Sequence, residues 1–386
     1  MRLSCCAALL LCLGVPASAG RDEGDARLTV ESPARREAAP APPPAAPAPA
    51  PPAAPAKRQR APRWEEDESF KRELLTLRAR AWFTIGSVDT RISKVIDQDI
   101  LIGETEERGS NGLMMVYSAE LAPIRWLSGE FQYGEDTHKG SYSDRYWVHS
   151  PQSSLLIDTA NGATWRYPDH EADLAFAADA RSRRDWVAGT IYARIIDLRP
   201  WRVDDPVWHE TLDVAAGYER FRQYSNLTHL SVTVNQGKYF SPALSPGPIA
   251  GFDSGYSAVW SGPHIGFRNE IAVPGGFSFD SLFLWSPFMS YRGEGYDNMG
   301  GMYWYPLRDS GPNYVDTAKG TAVHFQLGLR WDWRMLRVEA GYQRFYFYSR
   351  TGSRTFSAAD GSIPNMQLDF ATAEIAGAYA GASVRF

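Results

Sequence analysis

The sequence predicts an all-β protein: a transmembrane antiparallel β-barrel of ten strands, or twelve if one segment is split. Three observations predict it. An export-type leader is followed by no apolar run approaching the eighteen or so residues that a membrane helix needs. From Leu75 onward, apolar and polar residues alternate with period two. Asp369 to Phe386 reads as one further spanning strand, with Ala376, Ala378, Ala380, Ala382, Val384 and Phe386 on one face and Gly377, Tyr379, Ser383 and Arg385 on the other. Without a helix, only a closed barrel satisfies every backbone hydrogen bond in lipid.

The leader is Met1-Arg2, an apolar stretch from Leu3 to Val15, and the small-x-small site Ala17-Ser18-Ala19. It reads as a signal peptide over residues 1–19, cut before Gly20. Cys12 is embedded in the apolar stretch, which argues against lipidation. Cys5, Cys6 and Cys12 are the 3 cysteines and all lie in the leader. The exported chain therefore has neither disulfides nor thiolate chemistry.

Residues 20–63 read as a disordered Ala/Pro-rich periplasmic linker. Ala38 to Ala56 contains only Ala and Pro. Such a stretch favours extended polyproline II and would reach roughly 55–60 Å at ~3 Å per residue. Lys57, Arg58, Arg60 and Arg63 close it with a basic cluster. Contact with peptidoglycan or another envelope protein is the functional expectation for this arm.

Residues 64–386 form the barrel domain. All 18 Phe, 13 Trp and 19 Tyr residues lie there. Spanning barrels use such residues as interfacial girdles. A net charge of −5 gives no reason to expect nucleic acid.

In the first strand, Leu75, Leu77, Ala79, Ala81, Phe83 and Ile85 face lipid, and Thr76, Arg78, Arg80, Trp82 and Thr84 face inward. Similar alternation places strands near 75–89, 97–122, 124–136, 172–197, 210–224, 260–273, 276–292, 320–333, 335–350 and 366–386. Arg181 to Arg184 could split the fourth, which would raise the count to twelve. Tight turns are expected at Ala122-Pro123, Pro274-Gly275-Gly276 and Trp333-Arg334. Long polar outer loops are expected at 137–169, 224–259, 293–319 and 350–365, with Ser241 to Gly251 a stiff Pro-rich part. Arg78, Arg80, Arg268, Arg330 and Arg337 should face Glu130, Glu219, Glu270, Asp213 and Glu339 in a narrow lumen filled by ion pairs.

Ordered along the chain, several segments resemble the omptins, ten-stranded outer-membrane endoproteases of Gram-negative envelopes. Trp82-Phe83-Thr84-Ile85-Gly86-Ser87 resembles the end of their first strand, and Glu120-Leu121-Ala122-Pro123 their first periplasmic turn. Gly140-Ser141-Tyr142-Ser143-Asp144-Arg145-Tyr146-Trp147 resembles the second outer loop. Tyr167-Pro168-Asp169, Ala216-Gly217-Tyr218-Glu219 and Ser290-Tyr291-Arg292-Gly293 follow in order. The resemblance implies a monomer in the cell outer membrane.

The family is understood to cleave with an Asp-x-Asp pair facing an Asp-x-His dyad, which together activate a water. The resemblance places Asp144 at the first carboxylate of the pair, but Tyr146 stands at the second. Asp297 matches an acidic residue associated with basic-substrate specificity, and Met299 and Gly301 occupy the dyad positions. Tyrosine ordinarily titrates near ~10 and methionine not at all, so neither replaces a base working near neutral pH. A slipped alignment would draw on His138, His149, His170 or His264, placed in or near outer loops.

The sequence shows no metal cluster, Gly-rich phosphate loop or serine-nucleophile motif, and no cofactor is expected. Asp169-His170-Glu171 with Asp173 would need a bulge to ligate one ion. Asp136, Asp144, Asp169 and Asp297 at the outer rim could hold calcium or bridge to lipopolysaccharide through divalent cations. The expectation is thus an omptin-like barrel without proteolysis, a surface, structural or ligand-binding protein in contact with outer-membrane lipid. Asp144 and Asp297 are its candidate catalytic and substrate-binding residues. An omptin-type endopeptidase with a rearranged site is the alternative, and a narrow pore the third.

Overall fold

The computed structural model describes residues 74–96, 99–149, 174–198, 208–235, 245–296, 311–357 and 365–386. The expected leader and linker lie outside the described residues. So do Asp169, His170, Glu171, Asp173, Asp297, Met299 and Gly301.

Ten long antiparallel strands close into a ring. They begin with β1 (Leu75–Ile96), β2 (Asp99–Ile124), β3 (Leu127–His149), β4 (Leu174–Leu198) and β5 (His209–Asn235). A two-residue strand, β6 (Gly247–Pro248), pairs onto β5 and is not part of the ring. The ring continues with β7 (Asp253–Val273), β8 (Phe277–Tyr296), β9 (Tyr314–Trp333) and β10 (Leu336–Ser349). The short β11 (Gly352–Phe356) prolongs the line of β10, because both lie between β9 and β12 (Met366–Arg385). Closure is made by β12 on β1, with Ala79 opposite Ala382 and Leu77 opposite Val384.

The tight turns fall at one end of the ring. Gly275 and Gly276 take φ of 90° and 81° in the turn between β7 and β8, a backbone region that glycine enters without steric cost. Arg334 turns the chain between β9 and β10 with φ of 54°. The first turn sits at Arg125–Trp126 rather than Ala122-Pro123. A register shift between Leu121 and Ile124 absorbs Pro123, which has no N–H to donate to the ladder.

Side chains sort as the alternation predicts. Phe83, Ile85, Ile191, Phe288 and Leu329 are more than half exposed and belong to a belt of outward apolar residues around the ring. So much exposed apolar surface suits lipid and not water. Inside, near the tight-turn end, Glu339 contacts Arg80 through a very short bond and Arg78 and Arg330 at 3.6 and 3.5 Å. Arg78 also meets Glu130 at 3.0 Å, and Arg330 meets Asp280 at 3.0 Å and Glu270 at 3.3 Å. Arg268 bridges Glu120 and Asp213 at 2.9 and 2.8 Å. Glu219 makes no ion pair among the described residues; it accepts from Ser286 at 2.7 Å. Above this layer Trp82, Trp186, Phe221, Trp260, Phe345 and Phe347 fill the lumen with buried rings.

Two expectations are corrected. Strand β4 is unbroken through Arg181–Arg184, so the count is ten. The stretches expected as long loops are partly wall: β3 runs to His149, β5 to Asn235 and β8 to Tyr296, β7 starts at Asp253 and β9 at Tyr314. Beyond the belt the outward residues turn charged, as at Lys139, Arg181, Arg183, Arg220 and Arg222. The contrast between faces vanishes there while the period of two persists. Within the Pro-rich segment, residues 245–251 include β6, and 241–244 lie outside the described residues.

Removing the shared carboxylate should strand the buried Arg80, which has no other carboxylate partner among the described residues, and take one partner from Arg78 and from Arg330. Glu339→Gln is expected to lower the unfolding free energy of the refolded barrel by about 3–5 kcal/mol, measured by urea titration in lipid vesicles. An unchanged midpoint would show that Glu339 is not the hub of the layer.

Candidate functional site

The strands outrun the lipid belt at the end opposite the tight turns, and there they build a polar chamber over the aromatic plug. On β3, Asp136 and His138 point inward two residues apart. The His138 imidazole lies between two carboxylates, with Nδ1 3.3 Å from Asp136 and Nε2 3.4 Å from Glu107 of β2. Arg184 of β4 binds Asp136 at 2.5 and 3.0 Å and donates to Thr84 of β1 at 2.7 Å. Glu107 also accepts from Ser182 at 2.7 Å, Ser225 at 2.5 Å and Ser110 at 3.2 Å. Five strands are thus tied through one hydrogen-bonded cluster.

Electrostatics in the chamber follow from this bonding. Burial works against a charge on His138, but its bonds to Asp136 and Glu107 prevail and raise its pKa above 6.5. Burial likewise works against the Glu107 carboxylate, yet the bonds from His138, Ser225 and Ser182 leave its pKa lowered. Glu107 then lines a small cavity of about 10 Å³ with Val88, Thr90, Thr105, Tyr142, Ser225 and Tyr256. That is about the room one water needs.

Above the cavity the wall opens into a mouth lined by tyrosines. Asp144 lies on β3 opposite Thr105 of β2 and Phe176 of β4. It accepts from Thr105 Oγ1 at 3.2 Å and from Tyr146 Oη at 2.7 Å. Burial raises its carboxyl to about 6, against the lowering effect of the Tyr146 bond and of Arg354. Across the mouth, Asp316 of β9 holds Arg354 of β11 in a two-pronged pair at 2.7 and 2.8 Å, and the guanidinium lies 3.9 Å over the Tyr314 ring. Tyr256 and Tyr291 share a short hydroxyl–hydroxyl bond beside them. Gly293 leaves room for this: a methyl there would meet both hydroxyls and Asp316 within 3.0 Å.

Asp144 thus lies in the mouth, where the sequence puts it, but with Tyr146 beside it and no second carboxylate bonded to it among the described residues. Its stretch is strand wall and not an outer loop. Asp136 is not a solvated rim residue, because Arg184 and His138 enclose it. His138 is buried in the wall rather than carried on a loop. His264 is corrected more sharply: it is a buried lumen residue on β7, 3.0 Å from Thr190. His149 ends β3, and its side chain lies outside the described residues. Among the described residues no group of three or more His, Cys, Asp or Glu could hold a metal ion.

Sequence reasoning missed Glu107, Ser182, Ser225, Asp316 and Arg354 as site residues. The signal available was the period of two, carried through stretches that polarity alone assigns to loops.

The fold is similar to that of the outer membrane protease OmpT from Escherichia coli, with a TM-score of 0.57 at 11% identity, covering 81% of this chain and 96% of that one. The translocator domain of the autotransporter NalP from Neisseria meningitidis also matches, with a TM-score of 0.30, 10% identity, and coverage of 82% and 90%. A FadL homologue from Pseudomonas aeruginosa matches with a TM-score of 0.30, 9% identity, and coverage of 82% and 91%. No family model and no curated protein matches the chain. At these identities the likeness is one of fold, that of an outer-membrane β-barrel.

The raised pKa of His138 gives stability a direction with pH. The charged bridge contributes fully below about 6.5 and is lost as pH rises through the higher value of the folded state. Urea midpoints should therefore fall as pH rises above about 6.5. His138→Gln should lose that slope. A variant that keeps the wild-type slope would rule out a charged His138 bridge.

Proposed function

We propose that this chain is an integral outer-membrane β-barrel, omptin-like in architecture, whose outer mouth binds an external ligand and does not cleave peptides. One observation carries the reading: the neighbour of Asp144 is Tyr146, which donates to Asp144 at 2.7 Å. A phenol in that place holds the carboxylate still but cannot activate water near neutral pH. His138, His264 and His324 are all buried below the mouth, so none of them supplies the missing base at its surface. Asp297 keeps its candidacy as a substrate contact from the resemblance alone.

Location follows the same reasoning. An export leader, a belt of exposed apolar side chains and a closed ring of strands together favour the outer membrane of a Gram-negative envelope, with the tight turns in the periplasm. A pore is disfavoured, because the ion-pair layer and the buried aromatic rings both occupy the lumen. Just outside the belt, Lys139, Arg181 and Arg222 point outward and make no ion pair among the described residues. Such cations suit the phosphates of lipopolysaccharide, which is the lipid partner of this reading. Contact of the Ala/Pro-rich arm with peptidoglycan or an envelope protein belongs to the same proposal.

The refolded barrel with lipopolysaccharide should not cleave dibasic fluorogenic peptides faster than its Asp144→Ala variant, and planar bilayers should show no conductance steps. Turnover that disappears in Asp144→Ala would establish an endopeptidase instead, and steady conductance would establish a pore. In a second test, the triple variant Lys139→Glu, Arg181→Glu, Arg222→Glu should retain about tenfold less lipopolysaccharide on purification, since three attractive contacts become repulsive. Equal retention would remove the lipid assignment.

A further inference from the structure

At its outer end β5 changes partner. It pairs with β7 as far as Thr228 opposite Asp253, and with β6 from Ser231 opposite Pro248. The Ile249 N–H donates to the Leu230 carbonyl at 2.8 Å, so Ala250, Gly251 and Phe252 have only His229 opposite them. Gly251 turns the chain with φ of 74°, and His229 takes φ of 56°, a left-handed conformation uncommon for a residue with a side chain. Its ring is held there by Asp179 of β4, 3.1 Å from Nδ1. The mismatch leaves an open recess of about 690 Å³ in the wall. That volume falls within the roughly 300–1,000 Å³ of small-ligand sites.

The lining combines two kinds of surface. Leu230, Pro248, Ile249 and Phe252 are apolar, and Ile249 and Phe252 pack against the buried Ala178, Ala180, Leu227 and Leu230. Around them stand Asn226, Thr228, His229 and Asp253. With its amide nitrogen toward Asp253, Asn226 donates to Asp253 Oδ1 and to the Ser254 carbonyl, both at 3.0 Å. The Thr228 hydroxyl and His229 Nε2 make no hydrogen bond within the described residues. Asn226 and Thr228 follow Arg220 and Arg222 on the outward face of β5, so the recess lies beyond the lipid belt.

We infer that this recess is a binding site for a neutral saccharide. Sugar hydroxyls both donate and accept, which matches a carboxylate, a hydroxyl and an imidazole placed around one recess. A hydroxyl donating to the Asp253 carboxylate makes the stronger, charge-assisted kind of bond. The C–H faces of a sugar ring need an apolar seat, and Phe252 with Ile249 and Leu230 supplies it. Other ligand classes fit less of the lining. An anion would meet Asp253, and no Lys or Arg lines the recess to offset it. An acyl chain would use the apolar part alone, and a simple cation the carboxylate alone. The inference goes beyond the reading of the mouth, because none of Asp144, Tyr146 and Arg354 lines this recess.

The test is saturation-transfer NMR on the refolded full-length barrel. The probes are maltotriose, mannotriose and chitotriose, with n-hexanol as the apolar control. Saturable binding of at least one of these sugars is expected. It should weaken about tenfold in Asp253→Asn and in Phe252→Leu. It should disappear in Ala250→Trp, where an exposed residue of the lining fills the recess. Heat-modifiable migration reports folding of every variant. Polysaccharide released from the native envelope by mild acid is then added as competitor. Displacement of the bound sugar supports the site with the cell's own surface polysaccharide as its source, and sugar left in place supports it with an external glycan. Three results would overturn the inference: no saturable signal from any of the sugars, binding undiminished in Asp253→Asn or in Ala250→Trp, or n-hexanol binding as tightly as the sugars. None of them bears on the cleavage and conductance assays, so this site and the reading of the mouth fail separately.

Discussion

Everything in this molecule follows from one constraint: in hydrocarbon, a strand must find all its hydrogen-bond partners in the chain itself. Pairing of β12 with β1 meets that demand and fixes the ring at ten strands. Ten strands leave a lumen only wide enough for side chains. Half of every spanning strand must therefore point into a confined, largely dry interior. Arg78, Arg80 and Arg330 can be there only because Glu339 and its neighbours neutralise them at contact distance.

A filled lumen moves any chemistry to the ends. At the tight-turn end three of the connections are two or three residues long and offer little surface. At the other end the strands continue past the lipid belt, so the chamber and mouth are built from wall and not from mobile loop. Sites on rigid elements hold their side chains more closely than sites on loops. The bond from Tyr146 to Asp144 runs along β3, and the two-pronged pair of Asp316 with Arg354 joins β9 to β11, so strands fix both. The cluster around Glu107 braces the floor beneath them by tying β2, β3, β4 and β5 together.

The barrel was legible wherever lipid supplies contrast. The alternation of β1 and β12 over Leu75–Ile85 and Ala376–Phe386 assigns faces that burial reproduces, and most of the arginine–carboxylate layer could be named. Glu120 and Asp280 were missed and Glu219 was wrongly included, since an inward position tells nothing of which partner lies within reach. Legibility stopped at the belt. Lys139, Arg183 and Tyr224 are outward and His138, Ser182 and Ser225 inward, yet both sets are polar, so the stretches read as loops. His264 misled for the converse reason: histidine suggests water, but here a threonine in the lumen satisfies one of its nitrogens. Pairing between residues far apart in sequence has no local signature, which is why Glu107 and Arg354 stayed hidden.

The resemblance and the residues separate at Tyr146. A shared ring of ten strands is what hydrogen-bond closure and a narrow filled lumen require, and many sequences can satisfy both. Fold similarity at 11% identity is therefore cheap evidence for chemistry. Catalysis would need a base beside Asp144, and the chain spends that position on a phenol that holds the carboxylate in place. Burial meanwhile lifts the Asp144 carboxyl to about 6, against the lowering effect of the Tyr146 bond and of Arg354. Whatever chemistry the mouth has is carried by these side chains, on grounds that the fold cannot supply.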